Sequence, residues 1–126
     1  MSRLKYEELD RDTQLFLTDG CGNHVLDVPD FMWEEACRKH DFGYRQGHTK
    51  ADRARVDGDW YDEMCAAVDE ADLGDLNHGK WVYKLVATIY FLSVRLASWR
   101  YFEFGDRYNT LEEMMLARKM ELHAKI

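Results

Sequence analysis

Proline is almost absent: the 126 residues hold one, Pro29, beside eight glycines. So few chain breakers, with abundant Leu, Met, Ala, Glu and Arg, weigh against a turn-rich β-fold and favour helices. Long apolar runs are missing as well. The longest uncharged apolar stretch, Leu85 to Val94, is closed off by Lys84 and Arg95, far short of the ~20 residues of a membrane-spanning helix. Basic residues are outnumbered, 17 against 24 acidic ones, for a net charge of −7. With no basic stripe, the chain is a poor match for a nucleic-acid backbone, and no nucleic-acid partner is expected. The opening Met-Ser-Arg-Leu-Lys-Tyr-Glu-Glu carries charge where a secretory signal needs its apolar run, so the sequence offers no export signal and leaves the compartment open. Cysteine is scarce and odd in number: Cys21, Cys37 and Cys65. One disulfide with a spare thiol, three free thiols and metal ligation all remain open.

What is present is material for one small core. Apolar residues make up 46% and charged residues 33%, which excludes wholesale disorder and suits a single domain over 1–126. Apolar residues at 4, 6, 9, 15, 16 and 17 predict an amphipathic helix over about Leu4–Leu17. Thr18 to His24, with two glycines, Asp and Asn, reads as a shaped loop that runs to Pro29. Asp30 then stands where an N-cap is needed for a helix from Phe31 to about Gln46, stopped by Gly47. Thr49 with Asp52 opens a helix over about Lys50–Ala71, and Leu73–Gly79 reads as a turn. Trp81–Phe104 is the most apolar segment, and Thr110 or Asn109 with Glu113 begins a last helix through Met120. Five helices and no strand give an all-α class: a small helical domain with two central antiparallel helices carrying the site. In the aromatic part, 78–126, the stripe Trp81, Val82, Leu85, Val86, Ile89, Leu92, Leu96 and Trp99 is expected to be core. Surplus apolar residues at 83, 90, 91, 101 and 102 leave surface for a lipid interface or for self-association through this helix.

Chemistry concentrates in Cys37-Arg-Lys-His40-Asp41-Phe-Gly-Tyr44. Neighbouring residues on a helix point about 100° apart, so His40 and Asp41 serve different partners. Tyr44 lies one turn beyond His40 on its side of the helix. A helical return brings Asp57 alongside, where a carboxylate can hold one imidazole nitrogen and leave the other as a general base. Asp41 and Asp19, with the backbone carbonyl of Gly20, supply hard oxygen ligands suited to Ca²⁺.

Together, Thr18-Asp19-Gly20-Cys21, Ala36–Arg45, Arg55-Val56-Asp57 and Trp60–Met64 resemble the prokaryotic and fungal secreted phospholipases A2, over roughly residues 14–68. The resemblance implies a calcium-dependent hydrolase acting on the sn-2 acyl ester of a glycerophospholipid at a membrane or micelle interface. It makes His40 the base, Asp57 its holder, Tyr44 its support, and Asp19, Gly20 and Asp41 the calcium ligands. It also implies a Cys21–Cys37 disulfide, with Cys65 free or intermolecular, and a secreted or extracytoplasmic location. Two rival readings stand beside it. Cys21, His24, Cys37 and His40 form two Cys-x-x-His pairs, a plausible zinc set for a helical binding module. A catalytically silent helical interaction protein is the other.

Overall fold

The structure, a computed structural model, describes residues 3–19, 31–71 and 79–124. Among them lie five α-helices: α1 Arg11–Leu17, α2 Glu34–Gln46, α3 Lys50–Glu70, α4 Lys80–Ala97 and α5 Leu111–Ala124. Extended pairing among these residues is limited to an isolated bridge between His48 and Phe104. The fold is therefore all-α, as expected. The Asp30 cap, the 72–78 part of the expected turn, and Gly20, Cys21 and His24 lie outside the described residues.

The helix expected over Leu4–Leu17 is divided. Tyr6–Glu8 form a 3-10 turn, and Asp10 starts α1 afresh, its carboxylate accepting the Thr13 N–H at 2.8 Å. An Asp that can satisfy an orphan helix donor favours a start over continuation. The apolar positions still converge, because Tyr6 and Leu17 pack with Phe42 and Met114 in a satellite core.

The connection between α2 and α3 positions everything that follows. Gly47 ends α2 at φ 70°, and its N–H returns to the Gly43 carbonyl at 3.0 Å. Thr49 then begins α3 with a reciprocal capping box to Asp52. Two glycines allow close approach here. A Cβ on Gly43 would stand 2.7 Å from Val56 Cγ1, and one on Gly47 would stand 1.8 Å from the Glu103 carbonyl oxygen. Gly47→Ala is expected to destabilise the fold by roughly 2–4 kcal/mol, combining left-handed strain with displacement of the 102–105 segment. A urea midpoint unchanged from wild type would contradict that account. His48 shares the strain, at φ 111°. It is held by its N–H to the Glu103 carbonyl (3.0 Å) and by its own carbonyl to the Gly105 N–H (3.1 Å).

The main core joins Trp33, Cys37, Tyr44, Val56, Trp60, Met64 and Val68 of the first half to Ala87, Val94 and Phe102. Here α4 corrects an expectation. The stripe assigned to the core is mostly exposed, up to 67% at Trp81 and 81% at Leu96, while Ala87 and Val94 are the buried positions. Only Val86 of that stripe packs against the core, with Tyr83 and Tyr90 beside it. Both faces of α4 are apolar, so hydrophobicity alone does not choose between them. The small side chains of Ala87 and Val94 let the α4 backbone approach α3, with Tyr83, Val86 and Tyr90 packed beside them. The Leu, Ile and Trp side chains of the stripe fall on the far side. The helix ends at Ala97 rather than running on toward Phe104. A 3-10 turn over Ser98–Tyr101 follows. The chain then passes back over the α2–α3 connection, Asn109 N–H reaching the Gln46 carbonyl at 2.9 Å. Thr110 accepts the Glu113 N–H at 3.2 Å to cap α5, as expected.

Candidate active site

Close packing of α2 on α3 sets His40 over Asp57. The His40 Nε2 lies 2.7 Å from Asp57 Oδ1, and the Tyr44 hydroxyl donates to the same oxygen at 2.7 Å. Asp57 is fully buried, and its other oxygen accepts from Arg95 Nη1 at 2.8 Å, with Arg53 Nε at 3.9 Å. Arg53 also donates to the Tyr44 hydroxyl at 3.2 Å. The imidazole also packs against two aromatic rings, with ring centroids 4.5 Å from Tyr44 and 4.5 Å from Trp60. The three residues expected to act together, His40, Tyr44 and Asp57, are thus in contact.

Burial alone would push the Asp57 carboxyl up. The hydrogen bond and charge of His40, with the bonds from Tyr44 and Arg95, outweigh it and hold Asp57 below the usual carboxylate range. Tyr44 moves the opposite way, raised by burial and by the neighbouring Asp57 charge. Asp52, at the α3 cap, is raised by burial but held far below the usual range by Thr49, Tyr108 and Arg55. A carboxyl depressed in the folded state stabilises the fold fully above its ordinary pKa, and that contribution drains away as pH falls through the folded value. The contributions of Asp52 and Asp57 are therefore complete above about pH 4 and lost below it. Urea midpoints should fall steeply under pH 4, and Asp52→Asn should flatten part of that fall. A variant with the wild-type acid profile would show that Asp52 carries none of it.

The expected metal ligands divide. Asp41 is buried, and its Oδ2 accepts the backbone N–H of Asp19 at 2.7 Å. Two acidic side chains, from α2 and from the end of α1, are thereby brought to one place; Gly20 lies outside the described residues. The chemistry of this pair fits a hard, oxygen-seeking cation such as calcium, and Asp19 and Asp41 are the described residues that could hold it. Among the described residues no three His, Cys, Asp or Glu side chains form a metal cluster. Asp19 already has a cationic neighbour that sequence reasoning missed. Arg118 of α5 meets both its oxygens, Nη1 at 3.2 Å from Oδ2, and also donates to the Phe16 carbonyl at 2.9 Å. Arg45 Nη2 stands 4.0 Å from Asp19 Oδ2. Of the zinc set, Cys21 and His24 lie outside the described residues, and the Nε2 of His40 is engaged by Asp57.

Two concavities share Arg3, Lys39 and Asp59, and the smaller of them adjoins His40. A cavity of about 30 Å³ is lined by His40, Trp60, Val56, Lys39 and Arg3. A cleft of about 600 Å³, sharing Arg3, Lys39 and Asp59 with it, continues past Tyr6, Phe42 and Arg55. Lys39 itself is bridged to Glu7 and Glu63 at 2.6 and 2.9 Å.

The family model for prokaryotic phospholipase A2 matches residues 2–98. The chain belongs to the prokaryotic phospholipase A2 family. The match reaches well beyond the 14–68 stretch that carries the resemblance in sequence. It takes in α4 and Arg95, but ends before α5 and Arg118. Among curated proteins, the secretory phospholipase A2 of Beauveria bassiana (strain ARSEF 2860) is 32% identical over 100 residues, 74% of this chain and 49% of that protein. The chain thus spans about half the length of that relative. No solved structure matches this phospholipase A2 family member.

Three residues of the constellation were not read from sequence. Arg53 stands four residues before Asp57 on the same helix, a spacing that could have signalled it. Trp60 enters the sequence reading only as the first residue of the Trp60–Met64 segment that carries the resemblance, with no role at the imidazole. Arg95 arrives from α4 through tertiary packing, and no local pattern announces it.

Proposed function

We propose that this chain is a phospholipase A2-type ester hydrolase acting on glycerophospholipids, with His40 as general base. The observation that carries the reading is the engagement of the His40 Nε2 by the buried Asp57 carboxylate. With Nε2 carrying its proton toward Asp57, Nδ1 is left as the nitrogen that accepts one. The adjoining 30 Å³ cavity is the size of one water. Trp60, which lines it, keeps a buried indole N–H with no acceptor among the described residues. Nδ1 takes a proton from water as its oxygen attacks the acyl carbonyl carbon, and returns that proton to the leaving alkoxide as the ester C–O bond breaks. Asp57 holds the imidazolium formed in between, and Tyr44 and Arg95 keep Asp57 ionised and in place. The larger cleft is of a size to take a lipid, and the cations on its wall, Arg3 and Arg55, are both paired with Asp52.

Asp19, Asp41 and the Gly20 carbonyl are the proposed calcium ligands. When bound, that ion supplies Lewis-acid polarisation of the ester carbonyl and charge stabilisation for the developing oxyanion. A disulfide between Cys21 and Cys37 would tie the metal loop to α2; the third cysteine, Cys65, is a free thiol. With that bridge, an extracellular location fits this reading, as for the relative named secretory.

Fatty-acid release from mixed phospholipids, measured first with calcium and then with chelator, tests the function. Release that requires calcium is expected. A folded chain that releases no fatty acid in millimolar calcium would leave a silent helical relative instead.

A further inference from the structure

The apolar stripe that α4 turns to solvent has a spacing of its own. Val82, Leu85, Ile89, Leu92 and Leu96 follow one another at steps of three, four, three and four residues, and Trp99 in the following 3-10 turn adds another step of three. These are a and d positions of successive heptads. Every one of them is at least 42% exposed, and Trp81 flanks them at 67%. At 100° per residue the stripe is centred opposite Ala87 and Val94, the positions that α4 buries in the core. One face of α4 is therefore packed on α3, and the opposite face carries an apolar stripe exposed to solvent.

We propose that this face is a homodimer interface, in which α4 packs antiparallel on the α4 of a second copy across a two-fold axis near Ile89 and Leu92. The alternation of three and four is what one helix needs to seat knobs in the holes of another. A lipid surface asks only for a broad apolar face, with Lys and Arg on the polar side. Here the opposite side of α4 is packed on α3, and the chain's net charge of −7 works against anionic lipid. Position argues the same way. The His40 cavity is lined by residues of α2, α3 and the N-terminal segment, whereas the stripe is on the side of α4 turned away from α3. A membrane seated on it would not meet that cavity.

Charge selects the direction. A parallel pair would set the exposed Arg100 level with the partner's Arg100, while an antiparallel pair about Ile89 and Leu92 sets it level with the partner's Trp81, a cation–π neighbour. Area is sufficient. Taking aromatic side chains at 150–250 Å² and aliphatic ones at roughly 60–120 Å², the exposed fractions leave about 500 Å² of apolar side chain per copy. With polar flanks that approaches the ~800 Å² per partner of a standard interface. The face is also self-complementary, as a two-fold contact requires.

Sedimentation equilibrium of the full chain over micromolar to 100 μM concentrations tests this, with circular dichroism as the check on folding. The expected wild-type mass is about 30 kDa, twice the 15.0 kDa of one chain. Leu92→Glu should return it to one chain with helix content unchanged. Leu96→Glu, at the most exposed position of the stripe, should do so with less demand on the fold. A wild type that stays at one chain throughout overturns the proposal whatever the variants do. So does a dimer that both variants leave intact. A monomer that sediments with phosphatidylcholine vesicles, and loses that binding in Leu92→Glu, would assign the face to lipid instead.

Discussion

Replacing His40 by Asn is expected to cut fatty-acid release by roughly 10²–10⁴-fold, the usual worth of a positioned general base, while the chain stays helical. Asn keeps a donor that can face the Asp57 carboxylate, so the buried anion is not stranded, and Tyr44 and Arg95 still hold it. Asp57→Asn separates rate from stability the other way. The imidazole survives but loses its anchor, so the rate falls by less. The fold suffers more, because Arg53 and Arg95 lose the anion they surround. Breaking a buried ion pair costs about 3–5 kcal/mol, and the partial exposure of Arg95 places this one at about 3 kcal/mol or somewhat less. Urea midpoints and release rates on the same preparations check both statements. A folded His40→Asn variant that keeps its rate would remove His40 from the chemistry.

The helices were legible because their ends are written locally. Thr49 with Asp52, Thr110 with Glu113, and Gly47 each act within a few residues of themselves. The His40–Tyr44–Asp57 contact was legible for a similar reason: one spacing lies on a single helix, and the other crosses a three-residue connection. What sequence did not show depends on which of two acceptable packings is adopted. α4 is apolar on both faces, and the choice of Ala87 and Val94 for burial follows from how closely the backbone can approach α3. Arg95 and Arg118 reach their acids over 38 and 99 residues of chain. No periodicity carries such a pairing, and Arg118 lies beyond the span that matches the family. In sequence it is one more cation on a helix with acidic neighbours.

That arginine gives the second large expected effect: Asp41→Asn and Arg118→Gln should move the calcium requirement in opposite directions. Two carboxylates and loop carbonyls are few charged ligands, which places half-saturation of the wild type toward 10⁻⁴–10⁻³ M. Asp41→Asn removes one of those charges and should raise the requirement tenfold or more, or abolish release. Asp19 is contested, because the guanidinium of Arg118 holds both oxygens that a metal would need. Arg118→Gln keeps a donor for the Phe16 carbonyl but withdraws the competing charge, so calcium should bind several-fold more tightly. Calorimetric titration with calcium alone measures this without reference to turnover, and magnesium, with its stricter octahedral demand, should give little heat in either protein. The coupling is reciprocal: if Arg118 opposes calcium, calcium must loosen the hold of α5 on α1 by the same factor. Hydrogen exchange in 111–124 should therefore quicken when wild type is loaded with calcium and stay unchanged in Arg118→Gln. Full release in chelator would remove calcium from the reaction. Equal calcium affinity in wild type and Arg118→Gln would show instead that the metal takes its ligands without drawing Asp19 from the arginine.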